Sequence, residues 1–375
     1  NISLKADTPQ PDHGRDTENG NHNGENGDQN GANGTLDPAA PNAGGGGGGG
    51  PNNPQDQHDE HYAMSPSETR TFMADHCVRR GDARYAIKKL KPYLTESECI
   101  SGMIDLAVEC RFLSTMRHPN IIKMRGTATG DLIRPGFFLV LDRLYDTLDE
   151  RIDKWLERQK NNKGCLPCMG GNKEEANMLL LDRLMVAYDI ASVFRYMHSH
   201  KLIYRDIKTD NIGFDVRDDV KVFDFGLTKE LSESDLTDDG LYKMSGLTGS
   251  RRYMAPEVVL CQPYNLSADA FSFGILLWQI MALETPFEFF SLEEHEEKVV
   301  HNGYRPAISS EWPVQVRTLV SECWTENLKK RPSFAEAAAV LKGYLTGHAF
   351  DGENQSIDNR TGHMLERSQH SQRGM

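Results

Sequence analysis

The feature that most restricts the fold of this chain is a set of polar residues at fixed spacing in the segment YRDIKTDNIGF, residues 204–214. Asp206 is followed by Lys208 and then by Asn211, and a short apolar run leads on to the tripeptide DFG at 224–226. One such motif could arise by chance. The ordered set predicts a loop, a strand and a turn that bring these charges together.

These residue types suit phosphoryl transfer. That reaction depends on the placement of charge, so a carboxylate near the acceptor hydroxyl, oxygen ligands for magnesium and a lysine near the phosphates are sufficient. The tripeptide APE at 255–257 follows in the order expected for this chemistry.

The composition divides the chain into three parts. Residues 1–62 have few large apolar side chains, many Asn and Gly, and an unbroken glycine run. Such a segment cannot bury enough surface to offset its chain entropy, so we expect a disordered tail there and a second one at 348–375. The residues between them, 63–347, are numerous enough for one domain with a sizeable core.

The formal net charge of -13 is concentrated in the first tail, which holds ten acidic residues against two basic ones. The remainder is only mildly acidic and lacks a basic footprint, so no nucleic-acid partner is expected. The longest apolar run, 271–283, is too short and too often interrupted to span a bilayer. It predicts a buried helix and no membrane segment.

Seven scattered cysteines do not form a disulfide framework, which favours a reducing, cytoplasmic location. Cys165 and Cys168 have CxxC spacing, but no second pair or histidine cluster follows, so a zinc site is not favoured. The chain starts at Asn1 without a basic and apolar leader. No signal peptide is therefore expected, and the chain reads as a fragment.

A lysine and a glutamate upstream form a candidate ion pair. The run RYAIKK at 84–89 predicts a strand that carries Lys88, and 98–117 has helical periodicity with Glu109 inside its apolar stripe. A buried carboxylate needs a cation, and Lys88 is the natural partner. The alternatives are a surface lysine and a partly exposed glutamate. Further on, FFLVL at 137–141 predicts a buried strand, and 180–198 predicts a long core helix.

Together these motifs resemble the eukaryotic protein kinase family over about residues 84–345. The segments ADAFSFGILLWQI and CWTENLKKRPSF are most similar to its tyrosine-kinase-like branch, whereas Lys208 is typical of enzymes that phosphorylate serine and threonine. The resemblance implies an α+β, two-lobed kinase fold. Its small, mostly β N-lobe, expected to be incomplete, spans about 63–141, and its larger α-helical C-lobe spans about 145–347 with a polar insert at 158–178.

The resemblance also implies ATP and Mg²⁺ as cofactors and protein substrates with serine or threonine acceptors. Asp206 would orient the acceptor hydroxyl and Lys208 would neutralise the transferred phosphoryl group. Asn211 and Asp224 would hold magnesium. Lys88, fixed by Glu109, would bind the α and β phosphates. The implied nucleotide contacts are Lys88, Ala86, the gatekeeper Leu141, Asp142, Leu144, Gly213, Asn211 and Asp224.

Three departures from the family pattern affect this interpretation. Tyr204 replaces the usual histidine, as an aromatic neighbour for Phe225. Gly213 stands where an apolar side chain usually lies beneath adenine, so we expect an open pocket floor. No glycine occurs from Asn52 to Arg80, so the glycine-rich phosphate loop is not recognisable. The alternative function is therefore a pseudokinase that serves as a scaffold or allosteric module.

The resemblance assigns supporting roles as well. Ser250, in place of the usual threonine, would bond both Asp206 and Lys208. Glu257 would pair with Arg331, and Asp269 would cap the backbone of the catalytic loop. Arg205 would need an anion, and among the hydroxyls of 227–254 we favour Ser245 and Thr248 as phosphorylation sites. The alternative is that acidic residues order this loop without phosphate.

Overall fold

The computed structural model describes residues 78–79, 82–133, 136–163 and 172–349 of the 375-residue chain, all within one compact unit. The first predicted tail, residues 350–375 of the second, the CxxC pair and most of the segment without glycine lie outside the described residues. His348 and Ala349, predicted to belong to the second tail, are instead the last residues of a helix. Within the described residues, no helix is long and apolar enough to cross a membrane.

In the described ranges, short antiparallel strands form four small sheets, in the orders β1-β2, β3-β5-β4, β6-β8-β9 and β7-β10. The strands are β1 (Val78–Arg79), β2 (Asp82–Ala83), β3 (Tyr85–Lys89), β4 (Met124–Thr127), β5 (Phe138–Asp142), β6 (Asp146–Thr147), β7 (Leu202–Ile203), β8 (Ile212–Phe214), β9 (Val220–Val222) and β10 (Lys229–Glu230).

The helices dominate the part of the chain after β5. They are α1 (Glu96–Thr115), α2 (Leu148–Lys163), α3 (Lys173–Ser199), α4 (Pro256–Val259), α5 (Ser267–Ala282), α6 (Leu292–His295), α7 (Val314–Cys323) and α8 (Phe334–Ala349). A π-helix, Glu296–His301, continues α6. The small β-rich lobe and the larger helical lobe implied by the family resemblance are both present.

The predicted strands of the small lobe are confirmed to within one residue. The central strand β5 pairs with β3 so that Ala86 faces Leu141 and Lys88 faces Leu139. Both leucines are fully buried, which fits a strand with one face on the core. Between α1 and β4, Ile121 forms one isolated bridge with Val222, and β4 begins at Met124.

Helix α1 begins at a capping box in which the Thr95 hydroxyl accepts from the backbone N–H of Glu98 and the Glu98 carboxylate accepts from the N–H of Thr95. Its buried face carries Leu106, Leu113 and, as predicted, the charged Glu109. The helix therefore presents a carboxylate to the interior of the small lobe.

Helices α3, α5 and α8 build the core of the larger lobe. Fourteen consecutive residues of α5, from Ala268 to Met281, are buried, which confirms the buried helix predicted at 271–283. Helix α3 begins at Lys173, seven residues before the predicted start, because the Asn172 side chain accepts from the backbone N–H of Glu174 and caps it. The first turns of α3 are exposed, so their polar residues gave no apolar periodicity.

Candidate active site

Lys88 is almost completely buried between two carboxylates. Its Nζ lies 2.5 Å from Oε2 of Glu109 and 2.9 Å from Oδ1 of Asp224. Burial by itself would lower the pKa of Lys88, but the two carboxylates outweigh burial and raise it. The predicted pair of Lys88 with Glu109 is confirmed, and the contact with Asp224 links α1 to the DFG turn.

Asp206, Lys208, Asn211 and Ser250 form one hydrogen-bonded cluster. The Nζ of Lys208 lies 2.8 Å from Oδ2 of Asp206 and donates to the Ser250 hydroxyl at 2.9 Å. Ser250 in turn donates to Oδ1 of Asp206 at 2.8 Å. Serine thus makes both predicted bonds. The Asn211 amide donates to Oδ2 of Asp206 at 2.8 Å, so both carboxylate oxygens are oriented.

The backbone of the catalytic loop is hydrogen-bonded to the side chain of Asp269 in α5. Its carboxylate accepts from the backbone N–H groups of Tyr204 and Arg205, both at 2.9 Å, as predicted. Nε2 of His198 lies 2.9 Å from the same carboxylate. These three bonds fix the turn in which Arg205 adopts a positive φ of 70° and Asp206 is aimed at Ser250.

A glycine is required where residues 227–254, the activation segment between DFG and APE, cross the catalytic loop. Gly249 has φ +102°, and a Cβ built on it would lie 2.2 Å from the carbonyl oxygen of Arg205. Any side chain would therefore push apart the two backbones that Ser250 and Asp206 join. Neither the positive φ nor this close approach was evident from the local sequence.

Asn211 and Asp224 have the oxygen donors that magnesium prefers. Both Asn211 amide hydrogens are used by Asp206, through its backbone carbonyl and its carboxylate, which fixes the amide orientation and leaves Oδ1 as the available atom. In Asp224, Oδ1 accepts from Lys88, and the side chain is 36% exposed. Magnesium commonly takes only one or two protein ligands and completes its shell with water and phosphate oxygens. The residues present fit such an ion.

The candidate nucleotide side of the site lies along β3 and β5. Ala86 and Leu141 face each other across the strand pair, and Lys88 lies two residues further along β3. Asp142, the last residue of β5, is held by the Arg125 side chain through bonds of 2.6 and 2.9 Å. The backbone N–H of Arg143 bonds to the carbonyl of Arg84 at 3.2 Å, which fixes the segment after β5.

The prediction of an open pocket floor at Gly213 is wrong. A Cβ on this residue would lie 2.8 Å from the carbonyl oxygen of Asp146 and 2.9 Å from Cδ1 of Leu144. The pairing of Gly213 with Thr147 draws β6 close to β8, and the Leu144 side chain fills the space. Leu144, from the segment after β5, thus occupies the space that a side chain at position 213 would take.

Two further predicted contacts are present. The Tyr204 ring packs edge-on against Phe225 with centroids 5.4 Å apart, and its hydroxyl donates to the carbonyl of Phe223 at 2.5 Å. Arg331 binds Glu257 through two bonds of 2.5 and 3.0 Å in the interior of the larger lobe. The tyrosine hydroxyl bond is a contact that the sequence interpretation missed.

Arg205 contacts the activation segment directly. Its Nε donates to the carbonyl of Leu227 at 2.7 Å and its Nη1 donates to the Ser245 hydroxyl at 3.0 Å. The hydroxyl of Thr248 lies 3.0 Å from that of Ser245. Of the hydroxyls between DFG and APE, the two favoured from the sequence are therefore the ones gathered at this arginine.

Comparison with protein families and curated proteins agrees with this geometry. Residues 73–341 match the family described as protein tyrosine and serine/threonine kinase. The chain is 30% identical over 258 residues to serine/threonine-protein kinase STY17 of Arabidopsis thaliana, which covers 68% of the chain and 40% of that protein.

Serine/threonine-protein kinase VIK of Arabidopsis thaliana is 32% identical over 263 residues, covering 68% of the chain and 54% of that protein. Dual specificity protein kinase shkB of Dictyostelium discoideum is 28% identical over 255 residues, covering 67% and 35%. The chain thus spans about half or less of the length of these relatives. The family resemblance stated from the motifs is confirmed.

Proposed function

Because the chain belongs to the protein tyrosine and serine/threonine kinase family, we propose that it transfers the γ-phosphate of ATP to serine and threonine hydroxyls of protein substrates. The observation that carries the proposal is the cluster in which Lys208 and Ser250 both contact the carboxylate of Asp206. Several relatives are named serine/threonine kinases, and others are named dual specificity kinases.

Each residue of the cluster has a definite part in this proposal. Asp206, held by Asn211 and Ser250, accepts or orients the proton of the acceptor hydroxyl. Lys208 lies beside that carboxylate and balances the negative charge of the transferred group. Lys88 binds the α and β phosphates, and Glu109 keeps its ammonium in position.

Magnesium, when bound with ATP, supplies charge neutralisation at the phosphate oxygens. The proposed ligands are Oδ1 of Asn211 and the carboxylate of Asp224. Ala86, Leu141, Asp142 and Leu144 are proposed to surround the adenine, with Gly213 beneath Leu144. We also propose that the protein acts in the cytoplasm. Its substrates are proposed to be proteins, and no nucleic-acid partner is proposed.

Transfer of labelled γ-phosphate to a general protein substrate such as casein tests this function. Asp206→Asn should lower the rate by about 10²- to 10⁴-fold, because it removes the base while keeping the size of the side chain. Asp131→Asn, a matched change at an exposed loop residue, should leave the rate unchanged. Phosphoamino-acid analysis of the product should give phosphoserine and phosphothreonine.

The second candidate, a pseudokinase scaffold, is favoured by the lack of glycine between Asn52 and Arg80. Under that alternative, wild type and Asp206→Asn would show the same background transfer while both remain folded. A thermal shift with magnesium and ATP would then report whether nucleotide still binds. Equal background rates would rule out the kinase proposal for this chain.

A further inference from the structure

A cavity of about 480 Å³ lies on the side of the larger lobe, away from the candidate active site. It is enclosed by α2, α3, the β8–β9 hairpin and residues 118–120, and neither Lys88, Asp206 nor Asp224 lines it. Its volume falls within the range of small-molecule sites, which is roughly 300 to 1,000 Å³. Neither the sequence motifs nor the proposed function accounts for it.

Part of the inner surface of this side cavity is apolar. Trp155 of α2, Val186 of α3, Phe214 of β8 and Val220 of β9 all line it, and all four side chains are buried. An apolar ring or chain placed against them would be removed from contact with water, which favours binding. The cavity therefore suits a ligand with an apolar body.

Acidic and basic side chains line the rim, and most of them neutralise one another. Arg151 pairs with Asp146 and Asp218, Lys154 with Asp146, Arg158 with Asp182, and Arg217 with Asp219. Asp189, the remaining carboxylate, also has an interaction partner. A cationic ligand would have to displace one of these interactions.

Two hydrogen-bond donors that line the cavity differ from the paired charges of the rim in having no partner in the described residues. Within the part of the chain that the structure describes, the Arg195 guanidinium makes no ion pair or hydrogen bond, and the Tyr188 hydroxyl makes no hydrogen bond. Both belong to α3 and are seven residues apart, so they lie on the same face of that helix. Arg195 also partly offsets the rise that burial causes in the pKa of Tyr188.

The neighbouring His118 does not supply a second cation. Its Nδ1 accepts from the backbone N–H of Asn120 at 3.1 Å, so the proton resides on Nε2, which lies 3.3 Å from the Ser192 hydroxyl. Burial, followed by the charges of Arg195 and Lys221, lowers the pKa of His118 to about 4. Arg195 is thus the cation available to a ligand in this cavity.

We propose that the side cavity binds a small amphipathic carboxylate, with its apolar body against Trp155 and Val186 and its carboxylate on Arg195. The Phe214 ring is already covered on one face by the Arg151 guanidinium, 3.9 Å from its centroid. A guanidinium presents two parallel N–H donors that match the two oxygens of a carboxylate. The Tyr188 hydroxyl adds a third donor. An uncharged ligand would leave the arginine without an acceptor, which makes the acid the favoured form.

Isothermal titration of the full chain with 2-naphthoate, and with uncharged 2-naphthamide as its matched analogue, tests the site. The acid should bind at least about tenfold more tightly than the amide, a difference of about 1.4 kcal/mol, because its carboxylate makes a charge-assisted hydrogen bond to Arg195. Arg195→Gln should abolish this preference. Arg217→Gln, on the same rim but already paired, should keep it, and Arg195→Lys should keep part of it.

Two further measurements distinguish binding in the side cavity from binding at the proposed nucleotide site. Met185→Phe narrows the cavity and should weaken the acid and the amide alike. Saturating magnesium and ATP should leave naphthoate binding unchanged. Absence of binding, equal affinity for acid and amide, insensitivity to Arg195→Gln, or displacement by ATP would each overturn the proposal. It does not depend on phosphoryl transfer, since the same titration with Asp206→Asn should give the wild-type result.

Discussion

Lys88 shows how a single side chain is fixed by charge. A buried ammonium without a partner would be strongly destabilising, and here two carboxylates from different elements, Glu109 and Asp224, converge on it. Removing either acid leaves the positive charge poorly compensated. The strand β3, the helix α1 and the DFG turn are therefore linked through one atom, Nζ of Lys88.

Gly213 is restricted by backbone contact. Gly213→Ala should lower the free energy of unfolding by about 1 to 3 kcal/mol, because its Cβ would lie 2.8 Å from the carbonyl oxygen of Asp146, which cannot move without separating β6 from β8. Urea unfolding measures this change. Gly126→Ala in β4, where a Cβ would meet no atom within 4 Å, is the matched control.

A double variant separates the two contacts at Gly213. In Leu144→Ala with Gly213→Ala, the clash with Cδ1 of Leu144 disappears while the backbone clash remains. In the Leu144→Ala background, Gly213→Ala should then lower the free energy of unfolding by less than it does in the wild type. An unchanged cost would show that Leu144 does not fill the space above Gly213.

His295 is a buried imidazole whose protonation opposes folding. It is 4% exposed, neither ring nitrogen has a hydrogen-bond partner of good geometry in the described part of the chain, and burial, with Arg251, Arg305 and Arg252 nearby, lowers its pKa to about 4. In the unfolded chain this histidine has a pKa near 6.5. Between about pH 6.5 and pH 4 the unfolded chain therefore binds more protons than the folded chain.

The free energy of unfolding should consequently fall as the pH drops from about 6.5 to 4, by up to roughly 1.4 kcal/mol per pH unit for this group. The contribution of His295 should become constant below pH 4. His295→Leu should reduce the slope of a urea-unfolding series over this range by up to one proton. His301→Leu, at an exposed position, should not change it. Equal slopes in wild type and His295→Leu would contradict the lowered pKa.

At the scale of elements, the activation segment from Leu227 to Met254 is held at several points. Lys229 pairs with Asp235 at 2.8 Å, the backbone of Lys243 bonds to the carbonyl of Asp235, and Gly249 lies directly against the catalytic loop. Asp235, in the acidic portion of the segment, thus pairs with a lysine of the same segment. Arg205 already contacts a hydroxyl of the segment, that of Ser245, and is therefore placed to bind a phosphate there.

Phosphorylation at Ser245 or Thr248 should raise the transfer rate by about 5- to 150-fold, the range of typical coupling between sites. The phosphate would replace a neutral hydroxyl acceptor on Arg205 with a dianion. Mass spectrometry and phosphatase treatment of the active protein measure the effect. Arg205→Ala should remove the difference between treated and untreated protein, whereas Ser234→Ala, in the acidic portion, should preserve it.

The contrary result is equally clear. If phosphatase treatment, Ser245→Ala and Thr248→Ala all leave the rate unchanged, the segment is ordered by its own contacts alone. The ion pair between Lys229 and Asp235 would then be the first contact to remove by mutation, because it closes the acidic turn.

At the scale of the whole molecule, the small lobe contributes Lys88 and Glu109 while the larger lobe contributes the Asp206 cluster. The backbone joins the lobes after β5, and Val222 in β9 exchanges hydrogen bonds with Asn120 and Ile122 in the segment before β4. Asp224 follows two residues later. Asp224, the proposed magnesium ligand, and Lys88, the proposed phosphate-binding lysine, are therefore positioned by one continuous network.

Deletion of residues 1–62 should change neither the melting temperature by more than about 1 °C nor kcat/KM beyond the assay error. A segment with so few apolar side chains has little surface to contribute to a core. Calorimetry of the full chain and of residues 63–375 makes the comparison. A drop of several degrees in the shorter chain would show that the tail docks on the domain.

The sequence by itself determined the chemistry of the candidate site. Asp206, Lys208, Asn211 and the DFG turn were identified by spacing, because a loop followed by a short strand brings them together whatever surrounds them. The stripe on α1 identified Glu109, because a charge at an apolar position needs a partner. The structure confirms the pairing with Lys88, the two bonds of Ser250 and the cap by Asp269.

Only the tertiary structure decided the contacts between segments far apart in the chain. Leu144 fills the space at Gly213, the backbone of Gly249 lies against Arg205, and Arg195 faces the side cavity. Each depends on the distance between two backbones that no local pattern encodes. Local periodicity specifies which face of an element is buried, whereas the atom opposite that face is fixed only when the elements pack.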